Sequence, residues 1–155
     1  MIFNSIAIAS DHRGCQLRSQ LVEHFEACGY DFTDFGTTSD TPSVDYPDYA
    51  KNVAEYVRDN VNSCGVLVCY SGVGMSIAAN RFSGVRAVLC YSDEIARLSR
   101  EHNDANVICF GAGFISTETA MKSLEVFFNI PFDPRHLNRV QKIDAIHSEL
   151  ASNLD

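Results

Sequence analysis

No apolar run in this 155-residue chain approaches the roughly 20 residues that a membrane-spanning helix needs, so no membrane partner is expected. The start, Met1-Ile2-Phe3-Asn4-Ser5, lacks the basic stretch of a secretion signal and runs straight into apolar residues. Basic side chains are scarce: 12 Lys and Arg stand against 20 Asp and Glu, a formal charge of −8. That balance argues against a nucleic-acid partner, and it means that an anionic ligand needs a local basic cluster. Six cysteines occur (Cys15, Cys28, Cys64, Cys69, Cys90 and Cys109), but none forms a C-x-x-C pair, so the usual signature of a zinc site is missing and no metal is expected. Cys90 and Cys109 sit in apolar runs and read as inert core thiols. With no export signal, the expectation is a cytoplasmic protein with reduced cysteines. Internal repeats and low-complexity segments are also lacking.

What is present is a regular alternation. Strands are expected at 6–9, 30–35, 66–69, 85–90 and 106–110. Helices are expected at 16–27, 49–61, 74–82, from Ser92 to about Glu101, and at 116–128. A final helix is expected from about Pro134 to about Leu150. The helix at 16–27 carries Leu17, Leu21, Val22 and Phe25 on one face and ends at Gly29. Five strands alternating with helices predict one domain over 1–155. It should be a three-layer α/β/α sandwich with a five-stranded parallel, Rossmann-like sheet and an extra C-terminal helix. In such sheets ligands bind beyond the carboxyl ends of the strands. The polar clusters that fall there are Asp11-His12-Arg13-Gly14, Gly36-Thr37, Cys69 to Gly74, Tyr91-Ser92-Asp93 and Gly111-Ala112-Gly113. The last helix has no strand after it and is free to cross onto a partner subunit.

The segment from Gly65 to Arg81 carries the most chemistry. It opens as a buried strand and closes as a helix, with Cys69, Ser71, Gly72 and Gly74 between. The glycines leave room for a ligand near the backbone, and amides at a helix start favour an anion. A thiol beside such a spot suggests proton or acyl chemistry that generates a negative oxygen. Two rivals are weaker. A dinucleotide fingerprint would need a third glycine where Ile77 stands. A cysteine phosphatase would need an arginine closing the loop after Cys69, and none is there.

The other candidates each have a plain structural reading. Asp11-His12 can handle hydroxyl protons or hold a sugar oxygen, or Asp11 can simply cap the next helix. His102 lies at a helix end, where an imidazole often complements the dipole. Asn103, Asp104 and Asn106 suit a turn. Arg135 and Arg139, spaced i,i+4, share a face and form either a phosphate clamp or a solvated basic stripe. In so acidic a chain the clamp is the better reading. Asp45-Tyr46-Pro47 reads as a helix start, with proline suited to its first turn.

Together these pieces resemble the ribose/galactose isomerase family, in particular ribose-5-phosphate isomerases of type B. The resemblance runs from Ile6 to the final helix. It rests on Ser10-Asp11-His12-Arg13-Gly14, Asp45-Tyr46-Pro47, Cys69 to Asn80, Ser99 to Asn106, and Arg135-His136 with Arg139. It implies aldose–ketose isomerisation of ribose 5-phosphate and ribulose 5-phosphate without metal or cofactor, in the non-oxidative pentose phosphate branch. The alternatives are isomerisation of a six-carbon phosphosugar such as galactose 6-phosphate or allose 6-phosphate, or a non-catalytic phosphosugar- or nucleotide-binding sensor. The base would be Cys69, since no carboxylate stands at Met75 or beside it. His102 with Asp11 would assist ring opening, and Ser71 would hold the reacting oxygens. The amides of Gly72, Val73 and Gly74 would stabilise the enediolate. His12, Arg135 and Arg139 would bind the phosphate with His136 nearby, Asp45 and Tyr46 would border the sugar, and Asn103 would contact a hydroxyl. The resemblance also implies a homodimer, with a tetramer as the alternative, and sites shared between subunits. One departure stands out: Gly113 occupies a place where many relatives carry arginine.

Overall fold

The computed structural model describes residues 1–152, and the side chains up to residue 146. Its elements alternate as β1 (Ser5–Ser10), α1 (Cys15–Ala27), β2 (Phe32–Asp34), α2 (Tyr46–Asp59), β3 (Ser63–Cys69), α3 (Val73–Ala79), β4 (Ala87–Leu89), α4 (Asp93–Asn103), β5 (Val107–Gly111) and α5 (Thr117–Asn129). A 3₁₀ turn, Pro134–His136, leads into α6 (Leu137–Ser152). The strands form one parallel sheet in the order β2-β1-β3-β5-β4. The three-layer sandwich expected from the alternation is therefore present.

Parallel strands buried on both faces read as continuous apolar runs, and every residue of β3 is buried. On one face Leu17, Leu21 and Phe25 of α1 pack with Ala96 of α4 and with Leu124, Phe127 and Phe128 of α5. On the other, Ala50, Val53, Ala54 and Val57 of α2 pack with Met75 and Ala79 of α3 and with Cys69. Helices α4 and α5 are capped by Ser92 and Ser116, whose hydroxyls accept from the amides of Ile95 and Thr119 at 3.3 and 3.1 Å. The edge strand β4 is blunted by Asn80, whose side chain bonds both N–H and C=O of Ala87 at 2.8 Å.

Several boundaries differ from expectation: β2 and β4 are three residues long rather than six, α3 ends at Ala79 rather than at 82, and β3 and α2 both start early. Strand β3 begins at Ser63 rather than at 66, because Gly65 is an interior strand residue and not a terminator. A Cβ there would lie 2.4 Å from Val53 Cγ1, so its absence lets α2 pack close. Helix α2 begins at Tyr46 rather than at 49, with Pro47 in its first turn.

Candidate active site

The chain reverses direction around β1 and β3, so the loops that follow these two strands face each other across the crevice where open α/β sheets hold ligands. Cys69 ends β3 and is 5% exposed, with its side chain on the α2/α3 face. The Gly72 amide donates to its sulfur at 3.1 Å. That amide points inward because Gly72 takes a left-handed conformation, φ +76°. A Cβ at Gly72 would also sit 2.5 Å from Leu89 Cδ1 and 2.9 Å from the Phe110 carbonyl carbon, so only glycine fits. The Val73 amide donates to Ser71 Oγ at 3.3 Å. Of the amides expected to cradle an oxyanion, then, the Gly72 amide faces the thiol and the Val73 amide faces a hydroxyl that a ligand oxygen can displace.

Gly74 serves a different purpose. A Cβ there would lie 2.6 Å from the ring of Tyr46, which places Tyr46 against the start of α3. Asp45 is the residue that leads into α2. Across the crevice, Asp11 is 6% exposed, and its Oδ1 accepts from the amides of Arg13 and Gly14 at 2.9 and 3.0 Å. The turn-capping reading of Asp11 therefore describes one of its two oxygens. His12 Nδ1 accepts from the Val44 amide at 3.2 Å, and its Nε2 lies 3.4 Å from Ser43 Oγ. The first contact leaves Nδ1 unprotonated, so the ring proton is on Nε2. The loop before α2 thus fixes the His12 tautomer, a role with no local signal in the sequence.

The remaining expected residues lie elsewhere in the same chain. His102 and Asn103 end α4, on the opposite face of the sheet from Cys69 and near the amino ends of the strands. The Asn106 carbonyl, just beyond them, accepts from the Gly65 amide, four residues before Cys69 along β3. At about 3.3 Å per residue, that is on the order of 13 Å along the sheet alone. His136 stacks beside His102, ring centroids 4.4 Å apart. Arg135 Nε donates to His136 Nε2 at 3.0 Å, and Arg139 Nη1 lies 2.9 Å from His136 Nδ1. Arg86 braces this end of the molecule. It donates to the carbonyls of Asn103 and Asp104 and pairs with the carboxylates of Asp104 and of Asp144 on α6. One protomer therefore holds the expected residues in two separate groups at opposite ends of its sheet: Asp11, His12, Tyr46 and Cys69 to Gly74 at the carboxyl edge, and His102, Asn103, Arg135, His136 and Arg139 at the amino edge.

The second group is only partly neutralised: Asp133 pairs with Arg135 Nε at 3.0 Å, while Arg139 meets no carboxylate among the described residues. A neutral imidazole offers one lone pair and one N–H, yet guanidinium N–H groups stand at both nitrogens of His136. One of these contacts sets N–H against N–H until an acceptor enters. Burial pushes the His136 pKa below its ordinary value, and His102, Arg135 and Arg139 push it further, while Asp133 opposes them. Such a concentration of donors suits an anion. Burial pushes the thiols of Cys64, Cys90 and Cys109 up, as suits inert core residues. Among the described residues no cluster of three or more potential metal ligands occurs, and no helix is long and apolar enough to cross a membrane.

A parallel α/β sheet with a buried thiol and a buried carboxylate in the loops at its switch point, and a cationic cluster at its far end, offers the two things a sugar-phosphate isomerase needs, a proton carrier and a seat for an anion. The sequence model of the Ribose/Galactose Isomerase family matches residues 6–143, and the chain belongs to that family. It is 41% identical over 142 residues to ribose-5-phosphate isomerase B of Escherichia coli, covering 91% of this chain and 95% of that one. The ribose 5-phosphate isomerase B structure from Anaplasma phagocytophilum superposes with a TM-score of 0.87 at 45% identity, covering 92% of this chain and 98% of the other. That of the Mycoplasma genitalium enzyme, solved with bound ribulose-5-phosphate, superposes with a TM-score of 0.89 at 35% identity, covering 94% and 97%.

Proposed function

We propose that this protein interconverts ribose 5-phosphate and ribulose 5-phosphate through an enediolate, with Cys69 as the proton carrier. The observation that carries the reading is the Cys69 sulfur, buried at the end of β3 with the Gly72 amide donating to it. An amide that donates to sulfur favours the thiolate, the form able to act as a base. The thiolate takes the C2 proton of the open-chain aldose, and the electron pair moves onto the carbonyl oxygen at C1. Returning the proton to C1 and moving a proton from O2 to O1 gives the ketose. The amides of Val73 and Gly74 and the hydroxyl of Ser71 stabilise the charge that develops on the two oxygens. Tyr46 and Asp45 border the sugar, and Asp11 assists ring opening with its free carboxylate oxygen.

The second half-site completes the first in a homodimer: His102 of the partner subunit joins Asp11 in ring opening, the partner's Asn103 contacts a hydroxyl, and the partner's Arg135 and Arg139 hold the phosphate beside His136. The separation of the half-sites within one chain supports this assembly. In this reading residues 1–155 act as one isomerase domain whose α6 packs on the partner. Six cysteines, all unpaired, suit a cytoplasmic location. Turnover measured side by side on ribose 5-phosphate, galactose 6-phosphate and allose 6-phosphate tests the assignment. The pentose phosphate is expected to have the highest kcat/KM. A preference for either hexose phosphate overturns the substrate, and no turnover of any of the three overturns the function.

A further inference from the structure

The loops after β1, β3 and β5 together hold one Lys or Arg, Arg13. It is exposed, and among the described residues its guanidinium meets no carboxylate. Two other arginines, Arg81 and Arg139, share that lack of a carboxylate partner among the described residues, but Arg13 alone of the three stands in a loop at the carboxyl ends of β1, β3 and β5. Nor is it loose. The Asp11 carboxylate accepts from its amide, and its guanidinium lies 4.4 Å from the centre of the Tyr70 ring. Tyr70 stands between Cys69 and Ser71 in sequence and rests edge-on to Phe114, ring centroids 5.5 Å apart. The ring lies where it does because residue 113 has no side chain: a Cβ at Gly113 would be 2.5 Å from it. A polar hollow of about 370 Å³ opens beside this stack, with Gln16, Gln20 and Thr117 on its walls.

Stacking holds a guanidinium in place without neutralising it, and its in-plane N–H groups stay free for a bidentate acceptor. We propose that Arg13 is a substrate-phosphate ligand, supplied by the same subunit as Cys69 and acting with the arginines of the partner subunit. This rests on the sugar-phosphate reading above and adds to it a cation from the thiol-bearing half-site. The Tyr70 ring and Gly113 are its positioning elements. One phosphate is then held from both subunits, which ties the sugar's far end to the thiol that works on its near end.

The test compares wild type, Arg13→Gln and Arg13→Lys by KM for ribose 5-phosphate and by the inhibition constant of inorganic phosphate. In Arg13→Gln both are expected to rise together by about tenfold or more, the range of one charge-assisted contact, with more of the loss in KM than in kcat. Arg13→Lys, which keeps the charge and loses the fork, is expected to fall between. An unchanged phosphate inhibition constant in Arg13→Gln overturns the proposal, and so does a fall confined to kcat, which would mark a merely structural role. If wild type itself does not turn over ribose 5-phosphate, it is the functional reading that fails. If wild type does and Arg13→Gln binds phosphate equally well, only this inference fails.

Discussion

Mixing two inactive variants should restore activity if the site is shared. Cys69→Ala removes the base from the carboxyl-edge half-site, and His102→Ala removes the imidazole from the amino-edge half-site. Within one chain these residues lie on opposite faces of the sheet, on the order of 13 Å or more apart along the strands, beyond the reach of one sugar carbon. Each homodimer then has two damaged sites, and losing a proton-transferring group costs on the order of 10²- to 10⁴-fold. A heterodimer of the two variants has one site with both defects and one with neither. With two tags and sequential affinity purification, it is expected to show about half of the wild-type kcat, and a random co-expressed mixture about a quarter. The crossed control pairs a chain carrying both substitutions with a wild-type chain. If sites are shared, both sites of that heterodimer are damaged and activity is lost. If each chain is self-sufficient, the outcomes reverse: the crossed control keeps half and the variant pair stays inactive. That reversal would refute the two-half-site account.

Two further outcomes follow from local geometry. Gly74→Ala should displace the Tyr46 ring, which a Cβ would approach to 2.6 Å, and raise KM for the phosphosugar several-fold; steady-state kinetics beside a thermal melt separates this from a folding defect. His136 should leave a pH signature in stability. Its folded-state pKa is depressed, so its contribution is fully present above the ordinary histidine range. As pH falls below about 6.5 the unfolded chain takes up a proton that the folded one resists, and stability is lost down to the folded pKa. Wild type should therefore lose Tm more steeply than His136→Gln between about pH 7 and pH 5.5, and added phosphate should flatten the difference. Parallel pH profiles for the two proteins would contradict this.

Much of the architecture is legible in the sequence because the alternation of apolar runs with capped helices leaves few topologies open. Ser92 and Ser116 mark helix starts by capping chemistry, and both positions hold. Glycine is harder to read, since one residue type serves opposite ends. Gly65 looks like a strand terminator and is instead an interior position that admits α2, whereas Gly72 does lie at a turn, in the left-handed conformation a helix entry there demands. The residues of the candidate site are legible one by one, and their division between two ends of the sheet follows from helix polarity: a residue ending α4 must lie near the start of β5. Contacts between distant loops leave no such trace. The hold of Val44 on His12 and of Tyr70 on Arg13 depends on loop paths that no local spacing encodes. The place of Gly113 looks like a simple loss until the Tyr70 ring is seen to fill the space above it.

If Cys69 carries the proton, exchange at carbon reports it. Ribose 5-phosphate is incubated in deuterium oxide and the C2 proton is followed by NMR, with the phosphate inhibition constant measured on the same samples. Wild type is expected to isomerise the sugar and to introduce deuterium at the reacting carbons. Cys69→Ala is expected to lose both by a factor on the order of 10³ or more while its phosphate affinity stays within about twofold of wild type. Exchange and isomerisation at near-wild-type rates in Cys69→Ala would contradict the account.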